Sequence, residues 1–422
     1  MEGLHSSACP QQKKLTSSAN LRSFIVFFLS LRFAWLCRSS QRHAWRNCNN
    51  SDRLAVEALE LRVLHARRIR NLLSFHLVIP NSSDARKRID SRCLRPDTDF
   101  RDVIVTGDPN LSLQDGQNGR SIVVLGEVLW DQFEGFRRLG GAPLNFAAHA
   151  GRLGYRPSLI SAVGTDALGE EAASSIAALD VDTTFLQTTS RFPTGRARVE
   201  LGPGGRTRFV IERPAAYDAT QLSSRELERL IRLAPAWLYY GTLFSSTSEG
   251  KSVLSRLLDA FPAAVRFYDL NLPNCDSTSL VRELLAHAQV VKLNEHELLR
   301  VQECTGLPSE TEPFCREGAE RYGWQAVCIT LGARGCAMLA HGRYAEAEGI
   351  RVKVADPVGA GDAFAAAFMH GLISRWPVAQ IAEFANRVGA LVAARPGAIP
   401  EWSVKELVNY EDPPGVRRPQ AL

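Results

Sequence analysis

Apolar runs and segments of helical periodicity alternate along the chain from Ser121 onward. The run Ser121-Ile-Val-Val-Leu-Gly126 is typical of a buried strand. The same pattern predicts further strands at 158–163, 236–240, 265–270, 290–293 and 326–331. Helical spacing predicts helices at 143–153, 169–179, 223–233, 247–260, 277–286 and 377–394. This alternation indicates an α/β fold with a mostly parallel central sheet and helices on both faces.

Two segments interrupt the alternation and predict a small antiparallel β flap. Residues 131–138 and 195–211 are typical of exposed strands around glycine and proline turns. Within the second segment, Phe209 and Ile211 alternate with polar residues, as expected of a strand with one covered face. We therefore expect a lid formed by residues 131–139 and 195–213.

The first 120 residues differ in charge from the rest of the chain. They carry 19 Lys and Arg against 11 Asp and Glu, whereas the remaining residues carry 31 against 34. A helix is predicted over 53–73, and the rest of residues 1–118 is predicted to be an Arg-rich, largely disordered extension. Alternatively, the natural start lies near residue 120, which would require a non-AUG codon because only Met1, Met338 and Met369 occur. The predicted domain spans residues 119–402, followed by a tail of residues 403–422.

Charge, cysteine spacing and hydrophobic run length limit the partners and cell compartments expected for this chain. The mildly acidic second part gives no reason to expect nucleic acid as a partner. The nine cysteines form no CxxC pair or zinc spacing, so a reducing cytoplasm is the expected setting. The apolar run at 24–31 is shorter than the roughly 20 residues a membrane span needs, so no membrane association is expected. Signal and transit peptides are the alternative interpretations of this segment.

The stretch Asp356-Pro-Val-Gly-Ala-Gly-Asp362 contains the strongest chemical signal. Glycines permit a sharp turn, and the apolar run that follows predicts a helix. N–H groups at a helix start favour an anion, and a carboxylate in the same turn can accept a proton from a hydroxyl. The pattern suits phosphoryl transfer to an alcohol, although a glycine-rich turn before a helix also occurs without function.

Three other constellations carry polar groups near predicted strand ends. Asp131 follows the first strand, and Gly140-Gly-Ala-Pro-Leu-Asn145 predicts a helix start that presents an amide. Lys292-Leu-Asn-Glu-His-Glu297 follows another strand, and its Asn and Glu suit either ligand binding or a capping box. Thr330-Leu-Gly-Ala-Arg-Gly335 suits either nucleotide binding or a hairpin turn.

These motifs together resemble those of the PfkB, or ribokinase-like, carbohydrate kinases over about residues 121–398. Residues 356–362 resemble the family's Asp-Thr-x-Gly-Ala-Gly-Asp, and residues 140–147 resemble Gly-Gly-x-x-x-Asn-x-Ala. Residues 294–297 resemble Asn-x-x-Glu, and residues 330–335 resemble Thr-x-Gly-x-x-Gly. The resemblance implies a ribokinase-like three-layer sandwich whose flap covers a sugar site and often forms a dimer.

The resemblance also implies a role for each matching residue. Asp362 would be the catalytic base, and Gly359, Ala360 and Gly361 would form the anion hole. The sugar would be bound by Asp131, Gly140, Gly141 and Asn145. The nucleotide would be bound by Lys292, Asn294, Thr330, Gly332, Gly335, Asn386 and Gly397. Glu297 would hold Mg²⁺ through water, and Asp356 would lie near a monovalent cation.

The implied activity is ATP-dependent phosphorylation of fructose or a related small sugar or sugar acid. ATP and Mg²⁺ are the implied cofactors, with K⁺ as a further candidate, and the lid would mediate a homodimer. Pro357 stands where Thr is usual and Pro273 where Arg is usual, which places the cation site and the rate in question. A nucleoside kinase of the same fold and a non-catalytic sugar or nucleotide sensor are the two alternatives.

Overall fold

The computed structural model describes residues 121–201, 207–272 and 277–408. The predicted extension, its helix at 53–73, Pro273 and the end of the predicted tail lie outside the described residues. The first strands are β1 (Ser121–Leu125), β2 (Leu129–Phe133), β3 (Phe136–Gly140), β4 (Arg156–Gly164), β5 (Leu186–Thr189), β6 (Gly195–Leu201) and β7 (Thr207–Glu212). The later strands are β8 (Trp237–Gly241), β9 (Val265–Asp269), β10 (Val290–Asn294), β11 (Ala326–Thr330), β12 (Gly335–Ala340) and β13 (Arg343–Glu348).

The α-helices of the described residues fall between these strands and after them. The first five are α1 (Ala142–Arg152), α2 (Ala167–Ala177), α3 (Ser224–Arg232), α4 (Ser248–Ala260) and α5 (Thr278–His287). The others are α6 (Glu295–Thr305), α7 (Thr311–Tyr322), α8 (Ala360–Ile373), α9 (Val378–Ala393) and α10 (Val404–Val408).

The large sheet has the strand order β13-β12-β11-β10-β9-β8-β1-β4-β5. Its strands pair in parallel from β11 to β5, and β12 and β13 continue the sheet as an antiparallel edge. Alternate residues of β1 enter two separate cores: Ile122 and Val124 face one, and Val123 and Leu125 face the other. Helices α1, α2, α8, α9 and α10 cover the first core, and α3 to α7 cover the second. The predicted three-layer α/β sandwich is therefore confirmed.

A second, four-stranded sheet has the order β3-β2-β6-β7. Its two hairpins, β2–β3 and β6–β7, are antiparallel, and β2 joins β6 in parallel register. The predicted small β flap is thus present, with one parallel junction between its hairpins. The parallel pairing of β2 and β6 follows from their places in the chain. β2 follows β1 and β6 follows β5, and β1 and β5 run in the same direction in the large sheet.

The predicted strands and helices agree closely with the structure where both exist. Helix α7 and the strands β12 and β13 were not predicted, whereas a helix start at Asn294 and a hairpin turn at residues 330–335 were. Residues 335–340 are apolar throughout, so the hydrophobic pattern does not distinguish an antiparallel return from another parallel strand. The hairpin interpretation of residues 330–335 is the one that the backbone adopts, since these residues connect β11 to β12.

Phe267 on β9 connects the two helices that carry the candidate site. It is fully buried, and its ring lies 5.9 Å from that of Phe146 on α1 and 6.0 Å from that of Phe368 on α8. We predict that Phe267→Ala lowers the free energy of unfolding by about 3–5 kcal/mol, because it opens a cavity beneath both helices. Urea unfolding checks this.

The matched control is Leu299→Ala on α6, whose side chain is 52% exposed. That change should stay within about 0.5 kcal/mol of the wild-type value. Equal effects of the two substitutions would contradict the central position of Phe267.

Candidate active site

The candidate site lies at the carboxyl ends of the parallel strands. The chain runs from β1 to β4 and β5 on one side, and then returns to β8 on the other side of β1. Open α/β sheets bind ligands where the strand order reverses in this way. Glu127 follows β1, while Asp269, Asn294 and Thr330 end β9, β10 and β11. These polar residues therefore share one edge of the sheet.

The glycine-rich turn delivers Asp362 into the first turn of α8. Gly359 caps this helix with φ of 80°, and a Cβ there would lie 2.4 Å from the carbonyl oxygen of Ala398. Only glycine fits this position, because the backbone is left-handed and the neighbouring chain is too close. The first N–H groups of a helix have no acceptor within the helix, so this turn is a suitable anion site.

Asp362 is buried and hydrogen bonded. Its Oδ2 accepts from Asn145 Nδ2 at 2.8 Å, and the residue is 7% exposed. Burial raises the pKa of Asp362 to about 6, while the Lys292 ammonium and the Asn145 hydrogen bond oppose that rise. A carboxyl with a pKa of about 6 is ionised at neutral pH and remains a better proton acceptor than an exposed aspartate. The two sequence signatures meet in this single hydrogen bond.

Lys292 supplies the positive charge beneath the turn. Its Nζ lies 3.0 Å from Asp269 Oδ1, and both side chains are buried. Tyr239 donates to Asp269 Oδ2 at 3.0 Å. Burial alone would lower the pKa of Lys292, but the Asp269, Glu297 and Asp362 carboxylates outweigh it and raise the pKa. A Cβ on Gly361 would stand 3.3 Å from Lys292 Nζ, which places the ammonium against the glycine turn.

The paired glycines bring β3 close to the carboxylates on the opposite side. A Cβ on Gly140 would lie 2.8 Å from Asp131 Oδ2, and one on Gly141 would lie 2.5 Å from the carbonyl oxygen of Glu127. Burial, followed by the charge of Asp362, raises the pKa of Asp131 to about 7. The structure therefore brings Asp131, Gly140 and Gly141 into one cluster with Asp362.

Glu127 and Tyr217 belong to this cluster and were not predicted from the sequence. Glu127 is 6% exposed, and burial, with a contribution from the Asp362 charge, raises its pKa to about 7. Tyr217 is fully buried, and burial, followed by the Glu127 charge, raises its pKa. The position of Glu127 directly after a strand was the available sequence signal. Tyr217 gave no such signal, because only folding brings it beside Glu127.

Three buried polar atoms of this cluster have no hydrogen-bond partner among the described residues. They are Glu127 Oε2, Asn145 Oδ1 and the Tyr217 hydroxyl. Such atoms are costly to bury unless something pairs with them. A ligand that carries several hydroxyl groups would satisfy all three.

The strand ends β10 and β11 place the predicted nucleotide residues side by side. Asn294 pairs with Thr330 in the sheet register. The Asn294 side chain accepts from the backbone N–H groups of His296 and Glu297 at 2.9 Å, so it caps α6. Glu297 completes the capping box, since its Oε2 accepts from Asn294 N at 2.8 Å and its Oε1 from Leu272 N at 2.9 Å. The capping interpretation is confirmed, and the lone pairs left on Glu297 still permit contact with water.

The β11–β12 turn lies against the end of β13 and helix α9. Gly332 has φ of 60°, and a Cβ on Gly335 would lie 1.9 Å from the carbonyl oxygen of Ala347. Asn386 on α9 donates to the carbonyl oxygens of Ala347 and Glu348 at 3.3 and 3.1 Å. Gly332, Gly335 and Asn386 therefore lie together at the end of β13. The Asn386 amide nitrogen is hydrogen bonded to this edge strand.

Asp356 and Gly397 lie together beside the turn. Asp356 Oδ2 accepts from Gly397 N at 3.1 Å, and its Oδ1 accepts from Val358 N at 3.0 Å. Arg138 of β3 also binds Asp356 Oδ2. Through this hydrogen bond to Asp356, Gly397 helps to hold the turn that precedes α8. Arg138 was not predicted as a site residue, because 218 positions separate it from Asp356.

His149 is another support that the sequence did not reveal. Trp402 Nε1 donates to His149 Nδ1 at 3.0 Å, so Nε2 carries the proton and donates to the carbonyl oxygen of Ala398 at 3.0 Å. Burial lowers the pKa of His149 to about 4, in keeping with a neutral ring. Since Ala398 packs against Gly359, helix α1 holds the turn that begins α8.

No group of three or more His, Cys, Asp or Glu residues in the described part of the chain is arranged to hold a metal ion. Both Glu297 oxygens already accept backbone N–H groups. A divalent ion would therefore fit here through water and with oxygens from a nucleotide, as Mg²⁺ commonly binds.

The family model for pfkB family carbohydrate kinases matches residues 105–404. The chain belongs to the PfkB family of carbohydrate kinases. Ribokinase of Haemophilus influenzae is 25% identical over 268 residues, covering 61% of this chain and 82% of the relative. Fructokinase-1 of Zea mays is 25% identical over 276 residues, covering 62% of this chain and 84% of the relative. This PfkB protein is thus a sugar kinase by class.

Solved structures of PfkB-like kinases share its fold. Fructokinase with bound ATP from Xylella fastidiosa superposes with a TM-score of 0.60 at 23% identity, covering 69% of this chain and 98% of that one. Fructokinase from Vibrio cholerae O395 in a form with bound fructose, ADP and calcium gives a TM-score of 0.57 at 22% identity, covering 69% and 99%. None of the helices in residues 121–201, 207–272 and 277–408 is long and apolar enough to cross a membrane.

Glu127 allows a test of the buried cluster that needs no substrate. Its pKa in the folded kinase is about 7, above the value of 4.5 for an exposed glutamate. The folded state therefore holds the proton more tightly, and stability is lost as pH rises from about 4.5 through 7. We predict that Glu127→Gln becomes more stable relative to wild type between pH 4.5 and pH 8, by up to roughly 3 kcal/mol.

Urea unfolding of both proteins at several pH values measures this difference. The exposed Glu134→Gln in the β2–β3 turn is the control, and its effect should stay within about 0.5 kcal/mol at each pH. A pH-independent difference between Glu127→Gln and wild type would show that Glu127 is not buried as described.

Proposed function

We propose that this PfkB kinase transfers the γ-phosphoryl group of ATP to a terminal hydroxyl of fructose or a related small sugar or sugar acid. The observation that carries the proposal is the buried Asp362 carboxylate at the start of α8, hydrogen bonded to Asn145. A proton acceptor and an anion site are here combined in one helical turn. Phosphoryl transfer requires both, in adjacent positions.

Asp362 acts as the general base. It takes the proton of the acceptor hydroxyl as the hydroxyl oxygen forms its bond to the γ-phosphorus and the bond to the β-phosphate oxygen breaks. The N–H groups of Gly359, Ala360 and Gly361 stabilise charge on the moving phosphoryl group. The Lys292 ammonium beneath the turn adds to this stabilisation and keeps the Asp362 carboxylate ionised near neutral pH.

Asp131, Asn145 and the unpaired atoms around them bind the acceptor. The paired glycines at 140 and 141 let the sugar approach the backbone closely. A polyol offers donors to Glu127 Oε2 and Asn145 Oδ1 and an acceptor to the Tyr217 hydroxyl, the three atoms without partners among the described residues. This match supports a sugar as the acceptor.

ATP occupies the ends of β10 and β11 and the β11–β12 turn. The residues that hold it are Lys292, Asn294, Thr330, Gly332, Gly335, Asn386 and Gly397. Glu297 would hold Mg²⁺ through water, and the bound ion would neutralise charge on the triphosphate. The ATP bound in the Xylella fructokinase and the fructose and ADP bound in the Vibrio enzyme support this choice of ligands.

The lid closes the site and contributes a dimer surface. Phe136 on β3 is 51% exposed and stacks on Phe133 with ring centroids 4.6 Å apart. A second lid that covers these rings would remove apolar surface from water, which favours a homodimer. Buried free cysteines, such as Cys328 and Cys336, suit a reducing cytoplasm.

Release of ADP from ATP–Mg²⁺ in the presence of different acceptors tests the proposal. The panel is fructose, ribose, 2-keto-3-deoxygluconate, adenosine and fructose 6-phosphate. Stimulation by fructose or the sugar acid supports the proposal, and stimulation by adenosine alone favours a nucleoside kinase. Binding of ATP without stimulation by any acceptor would favour a sensor and contradict the proposal.

Asp362→Asn should retain the fold and lower kcat at least about 100-fold, because an amide does not accept the hydroxyl proton. The amide preserves the size of the side chain and can still meet Asn145, so a circular dichroism spectrum and Tm close to wild type serve as the control. Near-wild-type turnover would refute Asp362 as the base.

The pH dependence of kcat/KM for the acceptor follows from the same carboxylate. The base works only when ionised, so activity should rise with pH around an apparent pKa of about 6. Asn145→Ala should move this apparent pKa upward, because the Asn145 hydrogen bond lowers the pKa of Asp362. A rate profile that stays flat from pH 5 to pH 8 would contradict the assignment.

A further inference from the structure

Asp356 is a buried carboxylate whose oxygens face N–H donors. The residue is 6% exposed. Its Oδ1 accepts from Val358 N at 3.0 Å, and its Oδ2 accepts from Gly397 N at 3.1 Å and from the Arg138 guanidinium. These bonds fix the two backbone segments that meet at the glycine turn.

Arg138 reaches Asp356 from the lid. It lies on β3, opposite Asp131 on β2, and its guanidinium stands over the rings of Phe133 and Phe136 at 5.5 and 5.0 Å. The two rings hold the guanidinium in place, so little side-chain freedom is lost when it binds the carboxylate. Arg138 therefore brings a pre-positioned positive charge to the turn.

The Asp356 carboxylate defines the shape of the turn before α8. It bonds Val358 N immediately before Gly359, and Gly397 N immediately before Ala398. Gly359 and Ala398 are in close contact, since a Cβ on Gly359 would lie 2.4 Å from Ala398 O. Without a positive charge nearby, a buried carboxylate would be costly to keep ionised in this role.

While Arg138 binds Asp356, a monovalent cation does not fit beside this carboxylate. Such an ion needs oxygen ligands, whereas the groups that approach the two Asp356 oxygens are the guanidinium and two backbone N–H groups. Pro357 also provides no hydroxyl next to Asp356. The guanidinium already supplies the single positive charge that the carboxylate requires.

We propose that Arg138 is a positioning residue that takes the place of a monovalent cation at Asp356, so that turnover is independent of K⁺. The inference rests on the proposed function, because the positioned groups are the N–H donors of the anion hole. Arg138 acts through Asp356 and does not touch the reacting atoms. It also links the lid strand to the catalytic turn, so lid placement and anion-hole geometry depend on one ion pair.

Replacement of Arg138 tests the proposal, with cation dependence as the readout. Wild-type turnover in choline chloride should equal that in KCl within about twofold. Arg138→Ala in choline chloride should lose about 10–100-fold, the scale of a charge-assisted hydrogen bond. Millimolar guanidinium or KCl should restore a substantial part of that loss, because each returns a positive charge to the vacated site.

Arg137→Ala is the matched control on the same strand. Arg137 is exposed, and its partner Glu171 is half exposed. This variant should show no rescue by guanidinium or K⁺. Arg138→Lys, which keeps the charge without the planar fork, should lie between wild type and Arg138→Ala. A wild-type requirement for K⁺, or a loss in Arg138→Ala that neither ion restores, would overturn the proposal.

A measurement without turnover separates this inference from the proposed function. KCl should raise the Tm of Arg138→Ala more than an equal concentration of choline chloride, and it should not do so for wild type or Arg137→Ala. If wild type phosphorylates no acceptor and this pattern appears, the proposed function fails and the role of Arg138 at Asp356 stands. If wild type is active and Arg138→Ala shows neither rescue nor selective stabilisation, the inference alone fails.

Discussion

The burial of an ionisable carboxylate at the start of α8 is the constraint on which this site depends. Asp362 is out of water, and burial raises the pKa of its carboxyl. Without nearby groups that stabilise the ionised form, burial would favour the neutral carboxyl, which cannot accept a proton. The Lys292 ammonium and the Asn145 amide restore enough ionisation for work near neutral pH. Lys292 in turn is kept charged in the interior by Asp269 and Tyr239.

The second requirement of the site is close contact between two backbone segments that are distant in the sequence. The turn before α8 packs against residues 397–398, and three separate supports hold that contact. His149 holds the carbonyl of Ala398, Asp356 holds Gly397 N, and Arg138 neutralises Asp356 from the lid. The proposed anion hole therefore depends on tertiary packing, although its glycines lie in one short sequence motif.

The sequence predicted what depends on local pattern. Strand and helix alternation follows from hydrophobic periodicity, and the turn at 356–362 follows from glycine and aspartate spacing. Asn145 and Asp362 were expected in one site from their two motifs, but the hydrogen bond between them was not predicted. The capping box of Asn294 and Glu297 was also predicted, because that motif is local.

The remaining features depend on contacts between distant residues. A single sequence does not show which distant residues pair. The contacts of Arg138 with Asp356 and of His149 with Trp402 depend on how the lid, loops and helices pack. Glu127 was not assigned a role from the sequence, because only folding places it beside Asp362 and Tyr217. The antiparallel strand β12 was missed because an apolar run does not show whether a strand runs parallel or antiparallel to its neighbour.

The most direct test of Asp362 as the base is a crystal structure of Asp362→Asn with ATP–Mg²⁺ and the acceptor that wild type phosphorylates. We expect the acceptor hydroxyl within about 2.6–3.2 Å of the side chain at position 362, in line with the γ-phosphorus, with the γ-phosphoryl group over Gly359 to Gly361. A hydroxyl that instead meets Asp131 or Glu127, with the phosphate away from the glycine turn, would contradict it.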